Sequence, residues 1–187
     1  MFQFGIHVIT GSMFSGKTGE LVRLVRQVRY TGQKAQVFKT IYCQADDVEQ
    51  LVSHDGDTFT ATIIQDASEI WKHLDIKSAV VAIDNCHFLG ENILAIAEEF
   101  AKNRRVIIAG LDMDFRGEPY TTMALLMAIA DSINKLRAIC RVCGDPAVFS
   151  QRLIDGKPAS YDAPARVVAV SDEYQARCRV HYDRPKK

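Results

Sequence analysis

Residues Gly11 to Thr18 read Gly-Ser-Met-Phe-Ser-Gly-Lys-Thr, which is a G-x-x-x-x-G-K-[ST] string. An apolar run over Phe4–Thr10 precedes the string, and leucines and valines recur at helical spacing over residues 21–28. A strand, a glycine-bearing loop and a helix in this order are typical of a loop that cradles phosphates with backbone N–H groups. This context disfavours the alternative, a glycine-rich turn without a ligand. The predicted nucleotide-binding residues are Gly11, Ser12, Met13, Phe14, Ser15, Gly16, Lys17 and Thr18.

Three side chains carry the predicted triphosphate chemistry. Lys17 is expected to neutralise the β- and γ-phosphate oxygens, and the Thr18 hydroxyl is expected to bind Mg²⁺. The apolar run Val80–Ile83 ends in Asp84, and this acid would lie at the carboxyl end of the sheet, beside the ion. An acid after a buried strand is often only a turn residue, so Asp84 gains its weight from being paired with the phosphate loop. These residues predict that the site binds a nucleoside triphosphate and Mg²⁺.

The alternation of short apolar runs with amphipathic stretches over residues 4–132 predicts an α/β fold. Strand–helix–strand alternation implies right-handed crossovers and a mostly parallel sheet with helices on both faces. The polar, acidic stretch Cys43–Phe59 is interpreted as a mobile surface loop. We predict a nucleotide-binding domain over residues 1–135 and a small second domain over residues 136–187. Beyond the first strand, the predicted elements are strands at Ala35–Lys39, Ala79–Asp84 and Val106–Leu111 and a helix at Asn92–Asn103.

Length, charge and hydropathy narrow the class of protein. The chain has 187 residues, enough for one domain with a core and a small appendage. Its 23 basic and 23 acidic side chains cancel, which argues against a nucleic-acid binder that works through a basic surface. No apolar run approaches the roughly 20 residues that span a bilayer, and the N-terminus lacks the features of a secretory signal. We therefore predict a cytoplasmic protein that binds neither nucleic acid nor membrane.

Four residues near the C-terminus have the spacing of metal ligands. Cys140-x-x-Cys143 is separated by residues 144–177 from Cys178-x-x-His181. A Cys₃His set that leaves no position for water is typical of a closed, structural Zn²⁺ site. Zinc would also fold a segment that is too small to bury its own core. The alternative is two unrelated pairs that lie near turns, and this spacing in a reducing compartment disfavours it.

Three stretches of the chain carry a resemblance: Gly11–Leu21, Gly110–Tyr120 and Tyr174–His181. Together they are similar to the type II thymidine kinases, and the likeness runs from Ile6 to Tyr182. It implies a RecA-like P-loop domain and a small zinc-binding domain whose lasso loop covers the nucleoside. The implied activity is transfer of the ATP γ-phosphoryl group to the 5′-hydroxyl of thymidine or deoxyuridine. The implied partners are that nucleoside and further copies of the chain, in a homotetramer.

The resemblance also assigns residues to the nucleoside side of the site. An apolar, aromatic-rich pocket suits a pyrimidine ring, although core packing would use the same side chains. The segment Val167–Val170 with Tyr174 matches the lasso, and His87 is placed with the nucleotide-binding residues. Arg116 is either a residue that positions a loop or a phosphate, or an exposed structural arginine. The nucleoside-binding residues so implied are Met13, Phe88, Leu111, Phe115, Tyr120, Val168, Val170 and Tyr174.

One departure from the resemblance concerns catalysis. In the family that this chain resembles, the acid that corresponds to Asp84 is followed by a glutamate, which is the proposed general base for the 5′-hydroxyl. This chain has Asn85 instead. An amide can orient the hydroxyl but cannot accept its proton, a loss expected to cost roughly 10²–10⁴-fold in rate, or less for a loose phosphoryl transfer. The residues assigned to catalysis are Asn85 and Lys17. Three interpretations stay open: an inactivated enzyme, a paralogue that binds without efficient turnover, or proton transfer to a neighbour such as His87.

Two further departures concern loops, and they keep other functions open. The stretch Ala45–Glu49 lacks the arginine that family members direct at the phosphates, and no glycine pair precedes Ser171. A protein that binds nucleotide and nucleoside without turnover is therefore the second hypothesis. A third is an ATPase that acts on nucleic acid through a zinc ribbon, which the neutral charge disfavours.

Overall fold

A computed structural model of the chain describes residues 4–40, 50–52, 58–164 and 172–187. Within these ranges the helices are α1 Lys17–Tyr30, α2 Glu69–His73, α3 Asn92–Ala101 and α4 Thr121–Ile129, with a 3-10 turn at Cys86–Phe88. The strands of the large sheet are β1 Gly5–Thr10, β2 Ala35–Thr40, β5 Thr62–Ile64, β6 Val80–Asp84, β7 Arg105–Gly110 and β8 Ser132–Lys135. The smaller strands are β3 Gln50–Val52, β4 Thr58–Thr60, β9 Ala138–Ile139, β10 Pro146–Ala147, β11 Phe149–Ile154, β12 Lys157–Pro158 and β13 Asp172–Arg177. None of the helices in the described ranges is long and apolar enough to cross a bilayer.

Six strands form one sheet in the order β5-β2-β6-β7-β1-β8, and each of its pairings is parallel. The predicted α/β fold with a mostly parallel sheet is therefore confirmed. The register places Thr10 opposite Gly110 and Lys39 opposite Asp84. The carboxyl ends of the four central strands thus share one edge, which is where parallel sheets place their ligands.

Helices cover both faces of the sheet because its central strands divide their side chains between two cores. In β6, Val81 and Ile83 enter one core, whereas Val80 and Ala82 enter the other. Helix α1 covers the second core with an apolar stripe at helical spacing. Helices α2, α3 and α4 contribute to the first core. The strands that end at the candidate site are consequently the most deeply buried ones.

The stretch Cys43–Phe59, expected to be a mobile surface loop, contains regular structure at its described end. Strand β3 pairs antiparallel with β4, with Leu51 opposite Phe59. Phe59 is buried in the core beneath α1, which gives this pair a hydrophobic anchor that the polar composition of the stretch conceals. Residues 41–49 and 53–57 lie outside the described residues.

Residues 136–187, here called the C-terminal module, form two small sheets within their described part. Strand β9 pairs with β10, and β11 lies between β12 and β13. Their common core contains small residues such as Ala138, Ala147 and Ala176, so it buries little apolar area. The module continues directly from the edge of the large sheet, where the Leu136 N–H donates to the Thr10 carbonyl at 2.8 Å. The division into two domains at residue 135 stays a prediction.

Candidate active site

The phosphate loop connects the end of β1 to the start of α1, as its sequence predicted. Gly11 and Gly16 have φ angles of +140° and +83°, a backbone region that side chains rarely adopt. At Gly11 the space is closed as well, because an added Cβ would collide with the Leu136 carbonyl oxygen. The loop therefore needs glycine at both positions, and at Gly11 for two independent reasons.

Lys17 begins α1 and turns back into the phosphate loop. Its Nζ donates to the Ser12 carbonyl at 2.6 Å, which holds the ammonium inside the loop. Burial lowers the pKa of Lys17 to about 8, although the carboxylates of Asp84 and Asp112 oppose this shift. A partly buried cation whose pKa is depressed in this way is suited to an anionic ligand, which would stabilise its charged form.

Thr18 and Asp84 place two oxygen ligands side by side at the end of β6. The Thr18 hydroxyl donates to Asp84 Oδ2 at 3.0 Å, and Asp84 is only 3% exposed. Burial raises the pKa of Asp84, while Thr18, the Asn85 N–H, Lys17 and Lys39 oppose the rise. A hydroxyl paired with a buried carboxylate beside a phosphate loop fits Mg²⁺, which prefers such ligands together with substrate phosphates.

A second buried carboxylate, which sequence reasoning missed, lies after β7. Asp112 is 4% exposed, and its Oδ2 lies 2.9 Å from the ammonium of Lys135 at the end of β8. Together with Asp84 it surrounds Lys17 with negative charge. The available signal was the same as for Asp84, namely an acid that closely follows a buried apolar strand.

Asn85, the position that departs from the family pattern, has a left-handed backbone with φ +55° and ψ +33°. Its carbonyl accepts hydrogen bonds from the Thr40 hydroxyl at 2.8 Å and from the Phe88 N–H at 3.1 Å. Asparagine tolerates this conformation better than most residues. The backbone at this position is thus fixed by neighbours on two sides, next to the Asp84 carboxylate.

His87 is buried in a group of aromatic rings. Its ring centroid lies 4.0 Å from that of Phe88 and 4.8 Å from that of Tyr120. Its Nδ1 accepts the Leu111 N–H at 3.3 Å, so the neutral ring carries its proton on Nε2. This arrangement leaves no lone pair of the ring for a substrate proton. The geometry therefore favours a role in packing over the proposed role in proton transfer.

The implied nucleoside-binding residues fall into two groups. Phe88, Leu111 and Tyr120 gather around His87 at the edge of the sheet. Phe115 and Tyr174 instead pack together in a cluster of the C-terminal module. Two other members, Val168 and Val170, lie outside the described residues.

Met13 links the phosphate loop to the C-terminal module. Its N–H donates to the Ser150 hydroxyl at 2.9 Å, and the neighbouring Ser12 hydroxyl donates to the Ala147 carbonyl at 3.5 Å. Ser150 is a buried serine on β11 that sequence reasoning missed, because no local pattern marks a residue that acts across more than a hundred positions. The back of the phosphate loop is therefore formed by the C-terminal module.

The four predicted metal ligands converge in the C-terminal module. Their ligand atoms all lie within 4.8 Å of one another, with Cys143 Sγ 3.7 Å from Cys178 Sγ and Cys178 Sγ 3.3 Å from His181 Nδ1. Ligands at ordinary Zn–S and Zn–N distances in a tetrahedron lie about 3.8 Å apart for two sulfurs and about 3.6 Å apart for sulfur and nitrogen. The set Cys140, Cys143, Cys178 and His181 thus fits a structural zinc ion.

The electrostatics of the cysteines agree with a cation site. Burial opposes ionisation of the Cys140 thiol, but N–H groups of Cys178, Val142 and Cys143 outweigh it and lower the pKa to about 6. The Asp145 N–H favours the Cys143 thiolate, yet burial and the thiols of Cys140 and Cys178 raise its pKa to about 12. The Cys140 thiolate therefore forms readily, whereas the Cys143 thiolate does not. This is expected for a site that needs a cation to hold several sulfurs in their anionic form.

A comparison with protein families adds the identity that geometry alone does not provide. The family model described as thymidine kinase matches residues 4–182, which include the phosphate loop, Asp84, the Gly110–Tyr120 string and the whole Cys₃His set. The match covers nearly the entire chain. The chain therefore belongs to the thymidine kinase family.

Proposed function

We propose that this member of the thymidine kinase family transfers the γ-phosphoryl group of ATP to the 5′-hydroxyl of thymidine or deoxyuridine. The observation that carries the proposal is the shared edge of the sheet. There Lys17 and Thr18, at the start of α1, lie beside Asp84 at the end of β6. The aromatic group around Phe88 and Tyr120 lies in the segments that follow β6 and β7. The phosphates of a nucleotide and a flat, apolar ring can thus be bound at the same edge of the sheet.

The nucleotide side uses backbone and side-chain groups of the phosphate loop. Its N–H groups and the Lys17 ammonium bind the β- and γ-phosphate oxygens, where negative charge is spread in a loose transition state. Thr18 and Asp84 would hold Mg²⁺, which neutralises phosphate charge when bound. Because Asp84 is buried and Lys17 is partly buried, their charges are screened less by water than they would be at the surface.

The nucleoside side uses aromatic and apolar surfaces. Phe88 and Tyr120 bind and orient the pyrimidine, and the proposal assigns Met13 of the phosphate loop to the same pocket. The proposal assigns Leu111, Phe115 and Tyr174 to the same pocket and places Val168 and Val170 over the base edge. Support for Phe115 and Tyr174 is indirect, since both pack in the cluster of the C-terminal module.

Asn85 is assigned the orientation of the 5′-hydroxyl. Its amide can hydrogen-bond the hydroxyl next to Asp84, but it cannot accept the proton. In the transfer, the 5′-oxygen bonds to the γ-phosphorus, the bond from that phosphorus to the bridging oxygen of ADP breaks, and the hydroxyl proton is released to water. Proton removal is late in a loose transition state, so turnover is expected to be slow but measurable.

A second candidate function is binding of nucleotide and nucleoside without turnover, and the specific observation behind it is Asn85. An assay separates the two candidate functions. The protein is incubated with Mg·ATP and thymidine, and a kinase should form thymidine monophosphate and ADP in equal amounts. Lys17→Ala is the control, since it removes the phosphate-binding ammonium. Thymidine binding in a calorimeter without product formation, in both the unsubstituted protein and Asn85→Glu, would establish the second function. ADP formation that requires DNA instead of thymidine would overturn both.

The proposal includes a structural Zn²⁺ held by Cys140, Cys143, Cys178 and His181, and a cytoplasmic homotetramer that binds neither nucleic acid nor membrane. Support for zinc is the convergence of the four ligand atoms. Support for the tetramer is the family resemblance alone. Light scattering of the purified protein measures the oligomeric state, and a monomer would contradict it.

A further inference from the structure

The residues between Asp112 and Tyr120 form a tight turn, here called the 112–120 turn, that joins the two groups of the candidate nucleoside side. The Tyr120 N–H donates to the Asp112 carbonyl at 3.0 Å, and the Asp114 N–H donates to the Glu118 carbonyl at 2.8 Å. At its base, the Tyr120 ring contacts His87. At its tip, Phe115 and Arg116 contact the C-terminal module.

The Arg116 side chain makes the main polar connection at this tip. Its Nε donates to the Tyr161 carbonyl at 2.7 Å and its Nη2 donates to the Ala163 carbonyl at 2.6 Å. Its Nη1 forms an ion pair with Asp114 Oδ2, also at 2.6 Å. Only 15% of the Arg116 side chain is exposed. The expectation of an exposed structural arginine therefore does not describe this residue.

The same guanidinium fixes the neighbouring ring of Phe115. The guanidinium carbon of Arg116 lies 4.4 Å from the Phe115 ring centroid, and that of Arg152 lies 5.4 Å from it. Arg152 also donates to the Pro164 carbonyl, and the Tyr182 hydroxyl donates to the Phe115 carbonyl at 2.7 Å. Phe115 thus lies between two cations, fully buried, and is tied at its backbone.

This geometry depends on an arginine. A buried cation is costly unless its donors are satisfied, and here one planar group serves a carboxylate and two carbonyls on two different segments of the chain. A lysine carries a single ammonium on a flexible stem and cannot present donors in this fork. Arg116 therefore sets the distance between the 112–120 turn and the segment that contains Tyr161 and Ala163.

We propose that Arg116 is a positioning residue for the nucleoside side of the site. It acts through the 112–120 turn, which carries Phe115 at its tip and Tyr120 at its base, and it does not itself bind substrate. The nucleotide side has its direct contacts elsewhere, because Lys17 is held within the phosphate loop and Thr18 bonds to Asp84 of β6, and none of the Arg116 hydrogen bonds given above reaches these residues. This inference rests on the proposed function, since it assumes a nucleoside that packs against the turn.

The test compares two affinities in each variant, measured by calorimetry with thymidine and with ADP. We expect Arg116→Ala to weaken thymidine binding roughly tenfold or more, since small displacements of positioning groups are costly, and to change ADP binding less than about twofold. Arg116→Lys should restore little of the loss, because it keeps the charge but not the fork. If Arg116→Ala does not fold, Arg116→Lys and Asp114→Asn provide the same comparison, with a loss in the same direction.

Arg184→Ala is the matched control. Arg184 donates to the carbonyls of Arg116 and Gly117 on the same turn, at 3.2 Å and 3.4 Å, but it is exposed. It should leave both affinities within about twofold. Equal losses of thymidine and ADP affinity in the Arg116 variants, or no loss of either, would overturn the positioning role while leaving the proposed function intact. If the unsubstituted protein bound ADP but no thymidine, that result would instead overturn the proposed function, and this inference with it.

Discussion

The Ser150 hydroxyl accepts a hydrogen bond from the Met13 N–H at 2.9 Å, so the C-terminal module supports the phosphate loop from behind. Ser150→Ala leaves a partly buried N–H without its acceptor, and a buried donor left in this way costs up to about 1–3 kcal/mol. We expect ADP affinity to fall roughly fivefold or more, and calorimetry measures it. Ser160→Ala, at an exposed serine of the same module, is the control. An unchanged ADP affinity in Ser150→Ala would show that the loop does not depend on this support.

Under the proposed function, Asn85→Glu should raise turnover by roughly 10²-fold or more, because it supplies a carboxylate where the family resemblance places the general base. The left-handed backbone at this position should make the same variant roughly 1–2 kcal/mol less stable. Steady-state kinetics and denaturant unfolding measure the two effects. Asn85→Gln is the matched control, since it has the same length and the same backbone cost without a carboxylate. If glutamine raised turnover as much as glutamate, the base would not be at this position.

ADP binding without Mg²⁺ should weaken as the pH rises above about 8. Burial lowers the pKa of Lys17 to about 8, so the free protein loses the ammonium above that pH, while bound phosphate stabilises it. Binding at higher pH must therefore take up a proton, so the logarithm of the ADP affinity falls as the pH rises. Calorimetry at several pH values measures this slope, and calorimetry in several buffers measures the proton uptake. Lys17→Met should bind more weakly at all pH values and lose this part of the slope. An identical slope in the variant would assign the titration to another group.

Removing zinc should affect the nucleotide site as well as the C-terminal module. We expect one zinc ion per chain in the purified protein, and its loss in Cys178→Ser. Because Ser150 and Ala147 of the module contact the phosphate loop, the zinc-free protein should also bind ADP less tightly. Metal analysis and calorimetry measure the two quantities. Cys43→Ser, at a cysteine outside the proposed ligand set, should change neither, and a zinc-free protein with full ADP affinity would separate the module from the loop.

Phe100→Ala should destabilise the protein by about 3–5 kcal/mol, the usual cost of removing a buried aromatic side chain. Phe100 is fully buried beneath the sheet, and Trp71 packs edge-to-face against it with ring centroids 4.6 Å apart. Denaturant unfolding measures the loss. Ile76→Ala is the control, because Ile76 is largely exposed and its loss should stay within about 0.5 kcal/mol.

Short motifs and the periodicity of apolar residues predicted the parts of the fold that residues close together in the chain determine. Motif spacing and runs of apolar residues are visible in a single sequence. They were enough to predict the loop from Gly11 to Thr18, the strand before Asp84 and the convergence of the cysteines. The helix α4 was not predicted, because its apolar residues do not form a clear stripe. Strands β3 and β4 were missed for a related reason, since their anchor, Phe59, is one aromatic residue in a polar stretch.

The contacts that position the site were beyond sequence reasoning for a physical reason. Ser150 meets Met13, and Arg116 meets Tyr161 and Ala163, only because the C-terminal module folds back against the sheet. Nothing in the neighbourhood of these residues marks such a contact. Sequence reasoning could therefore name candidate groups for the chemistry, and Arg116 as one alternative for positioning a loop, but not the distant partners through which Ser150 and Arg116 act.

The two glycines of the phosphate loop differ in what a substitution would meet. At Gly16 an added methyl group would find open space, so only the backbone angle opposes it, whereas at Gly11 it would also strike the Leu136 carbonyl. In a saturation-mutagenesis screen that selects only for correct folding, position 11 should therefore reject nearly every alternative, even in protein that never meets a nucleotide. Gly11 is thus needed for the C-terminal module to pack against the sheet. Its presence in a sequence therefore does not indicate whether that protein is active.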